Sequence, residues 1–302
     1  MRIRIRLKGK RTYYYLEHSY RKSKKVIKKE KYLGLKIPKN IEKIKIEFLK
    51  EFQSDLNVKL NVIKDNFQKE WKKFPDSVKK RELEEISIAF TYNTNAIEGS
   101  KITLEETREI IKDKIAPNKP IRNIRETEAH NKVFLEMIEK KEKISINLLS
   151  KWHKEIFSDT KPEIAGKFRD YLVTIVNHIP PDSEEINKLM RALLNYINKS
   201  KINPVELASR AHYRFEKIHP FGDGNGRIGR LLLNHILWLS GYPMLIIEYK
   251  KRASYYKALK RNEEGFVSYF IRRYLAVHKK RVRKLIVLEK SIKDNFKKGD
   301  KK

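Results

Sequence analysis

The chain has 302 residues, 40% of them hydrophobic, no cysteine, and a formal charge of +32. Its length and apolar content suffice for the core of one large or two smaller domains, which excludes disorder throughout. The lack of cysteine excludes disulfides and thiolate metal sites and points to the reducing cytoplasm. The charge suits a nucleic acid, an anionic surface or nucleoside triphosphates, yet the lysines are spread over almost every segment, as on a solvated face. MRIRIRLKGK lacks an apolar signal core, and the apolar run over residues 231–247 is broken by Asn234, His235, Ser240 and Pro243, so neither secretion nor a membrane partner is expected.

Residues 1–40 read as a small basic β-ribbon: IRIRL alternates, TYYYLEHSY is aromatic, RKSKK has the composition of a turn, and VIKKEKYLG follows. We expect two main strands with tyrosines suited to packing on a helical body. Interleaved Arg, Lys and Tyr also leave open a nucleic-acid partner. From Ile41 the period changes to about 3.6, with Ile41, Ile44, Phe48, Phe52 and Leu56 on one face, which predicts a helical connector over residues 41–83.

Beyond Pro75 the chain reads as mainly α. Thr103 with Glu106, and Asp182 with Glu185, have capping-box spacing, and Asn203 before Pro204 is a helix start. Helices are predicted over residues 183–199, 204–217, 226–240 and 252–278. The exception is FRDYLVTIVNHIPP, residues 168–181, whose β-branched residues precede a double proline that no helix interior accepts, which predicts a short hairpin. Residues 281–302 form a basic tail.

Between two apolar helices lies HPFGDGNGR, a tight glycine-rich loop ending at a helix start. Such a terminus is an anion site, and phosphate is the usual anion. Arg227 and Arg230, three residues apart, can grip a polyphosphate; Asp223 is a carboxylate suited to Mg²⁺; Asn225 can donate to a phosphate oxygen; His219 is a base that titrates near neutrality. The spacing is neither that of a P-loop nor that of an EF-hand, and His212, His219 and His235 lack zinc spacing.

HPFGDGNGRIGR resembles the signature of the Fic family, H-x-F-x-[D/E]-G-N-G-R-x-x-R, at every specified position: His219, Phe221, Asp223, Gly224, Asn225, Gly226, Arg227 and Arg230. The resemblance runs from Ile86 to Tyr274, and implies a Fic-type helical bundle over residues 84–280. AGKFRDYLVTIVNHIPP is similar to the family's substrate-docking flap, which assigns docking to Thr174, Ile175, Val176 and Asn177. KRASYYKAL is similar to the segment whose tyrosine, here Tyr256, lies beside the nucleotide base; Asn262 follows one residue out of the family's step.

The resemblance implies transfer of AMP from ATP·Mg²⁺, or ATP·Mn²⁺, to a Ser, Thr or Tyr hydroxyl of a protein target, which includes the chain itself. In that reading His219 takes the hydroxyl proton, Asp223 holds the metal, Asn225 with the amides of Gly224 and Gly226 holds phosphate oxygens, and Arg227 and Arg230 neutralise the β- and γ-phosphates. TNAIEGS, residues 94–100, is similar to the family's inhibitory motif [S/T]-x-x-x-E-[G/N], in which the glutamate, here Glu98, pairs with the second signature arginine and blocks the seat of the γ-phosphate. Read alone, Glu98-Gly99 is also a helix end with a glycine cap. Transfer of another nucleotide or a phosphate, removal of AMP, a homodimer, and nucleic-acid binding through the ribbon are the alternatives.

Overall fold

The computed structural model describes residues 2–9, 11–22, 25–175 and 179–282, and is mainly helical. Two compact units, residues 1–61 and 62–302, divide the chain.

In the first unit, β1 (Arg2–Lys8), β2 (Arg11–Lys22) and β3 (Lys25–Gly34) form an antiparallel sheet in the order β1-β2-β3. This corrects the two-stranded ribbon. Gly9, at φ +59°, turns the chain between β1 and β2, so IRIRL becomes a full partner strand, with Ile5 opposite Tyr14 and Arg4 opposite Tyr15. The pleat puts Arg2, Arg4 and Arg6 on one face with Glu17 and Glu30: Arg2 and Arg4 donate to Glu17 at 2.7 and 2.9 Å, and Arg6 to Glu30 at 2.6 Å. Three arginines that suggested a polyanion partner thus already have internal carboxylates. Tyr13, Tyr15 and Tyr32 cluster beside them, ring centroids 5.2–6.2 Å apart.

Helix α1 (Ile41–Lys73) follows, with Phe48 buried; the side chain of Phe52 lies outside the described residues. Helix α2 (Asp76–Ile97) is continuous, so the domain boundary expected at residue 83 falls inside one helix. α3 (Leu104–Arg108) opens with the expected capping box, Thr103 and Glu106 each accepting from the other's N–H, at 3.1 and 2.8 Å, and continues as a π-helical turn over Glu109–Asp113.

α4 (Ile121–Lys140), α5 (Ile146–Phe157), α6 (Ser183–Lys199), α7 (Pro204–Ile218) and α8 (Asn225–Leu239) complete the bundle, followed by α9 (Arg252–Leu259) and α10 (Glu263–Val277). Asn203 caps α7 at the Val205 N–H, 2.9 Å, as its sequence foretells, whereas Asp182 precedes α6 without a side-chain cap bond. The single helix expected over 252–278 is broken because Asn262 caps a new start, accepting from the Gly265 N–H at 2.9 Å.

α8 is the centre of the second unit. It touches α2, α4, α5 and α7, and is buried nearly all round, as a hydrophobic central helix must be. Everything at its N-terminus is therefore held by other elements. Among the described residues no helix is long and apolar enough to cross a membrane.

Candidate active site

The site is built where α7 stops and α8 starts. His219 ends α7 in the left-handed region, φ +50° and ψ 61°, rarely adopted by a residue with a side chain, and its N–H bonds the Phe215 carbonyl at 2.9 Å. Phe221 then drops fully into the core, its ring stacked on His153 at 4.0 Å. Asn225 closes the loop: Oδ1 accepts from the Phe221 N–H at 2.9 Å and Nδ2 donates to the Phe221 carbonyl at 2.7 Å. In this conformation the amide shapes the loop from within rather than facing a phosphate. Gly224, at φ +74°, lies so close to the Phe157 ring that a Cβ would stand 2.4 Å from it. Glycine is required there by both backbone and space.

His153, absent from any motif, fixes the loop from below. Its Nδ1 accepts from the Gly166 N–H at 2.9 Å, so Nε2 carries the proton and donates to the Asp223 carbonyl at 3.0 Å. Burial pushes its pKa down to about 4, which keeps the ring neutral at pH 7.

Three charged groups of the loop each meet an opposite charge. Asp223 Oδ1 accepts from the Gly224 N–H at 2.6 Å, and its Oδ2 lies 2.6 Å from Lys161 Nζ. Burial alone would push this carboxyl up; the Lys161 ammonium and the Gly224 N–H outweigh it and hold it below the usual range. Arg227 pairs with Glu126 on α4, which also accepts from the Thr160 hydroxyl at 3.0 Å and faces Lys161 at 3.4 Å. The Arg227 guanidinium lies 4.4 Å from the centroid of the Phe157 ring. Burial opposes ionisation of Glu126 too, and Arg227 and Lys161 reverse that effect.

Arg230 is fully buried and donates to Glu98 Oε1 at 2.6 Å and to the Thr94 carbonyl at 3.2 Å. Burial disfavours its charge, and Glu98 outweighs burial to raise its pKa. Glu98 is the C-cap of α2 before Gly99 at φ +93°, and from that end position its carboxylate meets Arg230. Gly226 makes room for it, because a Cβ there would stand 2.2 Å from Glu98 Oε1. Tyr256, on α9, donates to the Ile97 carbonyl at 3.3 Å and so joins the same corner. Asn262 is occupied in capping α10. Behind Arg230, burial pushes Glu216 up to about 7 and His212 down to about 3; His212 Nε2 meets the Tyr255 hydroxyl at 2.8 Å.

Arg169 ties the flap to the loop. Its guanidinium donates to the carbonyls of His219 (2.9 Å), Tyr171 (2.8 Å) and Pro181 (2.6 Å), and its N–H to the Pro220 carbonyl (2.9 Å). Of the expected hairpin, the described residues retain irregular chain with a single bridge residue at Ile175, beside the exposed Thr174. Val176 and Asn177 lie outside the described residues. The Tyr171 hydroxyl rests on Gly222, where a Cβ would come within 2.1 Å of it.

Residues 143–237, which include the whole loop, match the family model described as Fic/DOC family. The chain is 36% identical over 201 residues to a protein adenylyltransferase Fic of Nematostella vectensis, covering 64% of this chain and 47% of that protein. It is 32% identical over 206 residues to the one of Drosophila ananassae, covering 64% and 40%. It thus spans less than half the length of these curated relatives. Among solved structures it resembles Fic-1 (residues 134–508) from C. elegans, TM-score 0.67 at 26% identity over 82% of this chain and 77% of that one. A Fic family protein from Desulfovibrio desulfuricans G20 gives 0.63 at 25% identity over 78% and 74%.

Glu126, His153, Lys161 and Arg169 are the site residues that motif reading missed. Arg227 and Glu126 are 101 residues apart and Asp223 and Lys161 are 62 apart, so no linear pattern joins them.

Proposed function

We propose that this chain is a Fic-type protein adenylyltransferase, transferring AMP from ATP to a hydroxyl side chain of a protein target, and that Glu98 restrains it. One observation carries the reading: a complete signature loop at the N-terminus of a buried helix, whose second arginine is already paired with the Glu98 carboxylate. The relatives named protein adenylyltransferase support the same activity.

The target hydroxyl oxygen bonds to the α-phosphorus while His219 accepts its proton; the bond from that phosphorus to the bridging oxygen breaks, and pyrophosphate leaves. The first-turn amide of Gly226, which a helix leaves without an acceptor of its own, holds a phosphate oxygen as the new bond forms, and the Gly224 amide joins it on leaving Asp223 Oδ1. Arg227 and Arg230 take the β- and γ-phosphates when Glu126 and Glu98 yield them. The adenine lies on the side of Tyr256, and Thr174 to Asn177 hold the target chain, with Arg169 as the positioning residue that keeps the flap on the loop.

Asp223 suits Mg²⁺ or Mn²⁺: its carboxyl is held ionised, its side chain is 53% exposed, and a cation already stands at Oδ2. One carboxylate with substrate phosphates is an ordinary magnesium set. Asp223 would hold the ion, which would neutralise charge on the α- and β-phosphates. Glu98 engages Arg230 through one oxygen and has a second with which to orient a water, which favours removal of AMP from a modified target as the second reading. A chain without cysteine suits the reducing cytoplasm, where we place the reaction.

The test is a panel of ATP and UTP labelled at the α- or γ-position, with Glu98→Gly and His219→Ala proteins. Label from α-labelled ATP alone, raised by Glu98→Gly and abolished by His219→Ala, is the expected result. Label from γ-labelled ATP or from UTP would overturn the adenylyl assignment.

A further inference from the structure

Lys161 belongs to neither motif, yet it holds one of the site's tightest contacts. Its backbone is fixed on both sides: its N–H bonds the Phe157 carbonyl at 2.7 Å, and its own carbonyl accepts from Ala165 at 3.1 Å. Its Nζ lies over the Phe157 ring, 4.9 Å from the centroid, and the side chain is 18% exposed. The ammonium meets Asp223 Oδ2 at 2.6 Å and Glu126 Oε1 at 3.4 Å. An exposed surface lysine would spend its time in water. This one is aimed by a fixed backbone, an aromatic ring and two carboxylates.

We propose that Lys161 is a tethered cation that competes with the divalent metal for Asp223, restraining the site independently of Glu98. This rests on the reading of Asp223 as the metal-holding residue. Asp223 Oδ1 accepts from the Gly224 N–H, so Oδ2 is the oxygen open to a cation, and that oxygen is in contact with Lys161. An ammonium and a divalent ion repel each other, so each weakens the other's hold on one carboxylate oxygen.

Glu126 makes the exchange feasible. When Arg227 leaves it for a phosphate, Glu126 keeps the Thr160 hydroxyl and gains the displaced ammonium, already 3.4 Å away. Arg227 moves to phosphate, Lys161 to Glu126, and Asp223 to the metal, so no buried charge is left alone. Glu98 and Arg230 take no part in this exchange. Two separate contacts therefore guard the two ends of the triphosphate seat.

The experiment titrates the full chain with Mg²⁺, without nucleotide, following the Gly224 and Gly226 amide signals by NMR, which reads weak as well as tight binding. K161M, with K161Q as a second neutral variant, should bind Mg²⁺ about three- to tenfold more tightly than the parent, the scale of one charge-assisted contact. K161R should stay near the parent, E98G should leave the affinity unchanged, and D223N should bind most weakly. Unchanged or weaker binding in K161M and K161Q, with D223N still weakened, would overturn the role of Lys161 and leave the metal reading intact. Tighter binding in E98G equal to that in K161M would overturn the independence of the two restraints. Native affinity in D223N, or no saturable shift in any protein, would overturn the metal reading and the inference with it.

Discussion

Replacing Glu98 by glycine should destabilise the empty protein and make ATP return the loss. Arg230 is 2% exposed and has Glu98 Oε1 at 2.6 Å and the neutral Thr94 carbonyl at 3.2 Å, so the variant strands a buried cation on one neutral acceptor. Removing one partner of a fully buried pair costs about 3–5 kcal/mol, and an exposed pair is worth up to about 1 kcal/mol. The Glu98 side chain is 30% exposed, so water enters in part and the cost lies between these limits, at about 2 kcal/mol. In a domain of this size each kcal/mol moves Tm by about 2–4 °C, giving a fall of about 4–8 °C. A bound triphosphate restores the counter-charge to Arg230. Saturating ATP·Mg²⁺ should therefore raise Tm more in Glu98→Gly than in the native chain. Calorimetry of both proteins with and without nucleotide measures this. Equal Tm values without ATP, together with equal ATP-induced shifts, would refute the reasoning.

Arg169→Met should leave ATP affinity near native and raise KM for the protein target about tenfold or more, since three carbonyls lose the group that sets the flap on the loop. Target titrations beside ATP-binding measurements separate the two effects. Gly224→Ala should lower stability by about 2–4 kcal/mol and abolish nucleotide binding, because a Cβ at φ +74° meets the Phe157 ring at 2.4 Å; denaturant melts read the first and calorimetric titration the second. Acid should weaken the fold through His153. Its pKa is about 4 in the folded chain against 6.5 otherwise, so the unfolded chain binds the proton first. Its stabilising contribution is full above pH 6.5 and is lost as pH falls towards 4, by about 3 kcal/mol in all. Melting His153→Gln and native protein between pH 7.5 and 4.5 should show a shallower acid loss in the variant.

The loop was legible as a candidate site because base, carboxylate, glycines and arginines lie within twelve residues, HPFGDGNGRIGR. Thr103 with Glu106 as a capping box was also readable, since the two partners are local. The third strand has a local signal as well, since Gly9 between IRIRL and TYYYL marks a hairpin turn. The break in the last helix was signalled too, by Asn262 before two glutamates. What no local pattern carried is the set of counter-charges. Glu126 and Lys161 are ordinary residues of a lysine-rich, glutamate-rich chain until α4, and the turn after α5, pack beside α8. Asn225 shows the reverse case, a signature residue whose amide turns inward to Phe221, a choice that depends on loop geometry rather than residue type.

The most direct test of the central claim is intact-protein mass spectrometry of Glu98→Gly incubated with ATP and Mg²⁺, alongside native, His219→Ala and doubly substituted chains. The account predicts added mass equal to one adenylyl group on the Glu98→Gly chain or on a supplied target, less on the native chain, and none when His219 is alanine. Added mass equal to a phosphate or another nucleotide, or an adenylyl group that persists in the His219→Ala chains, would contradict it.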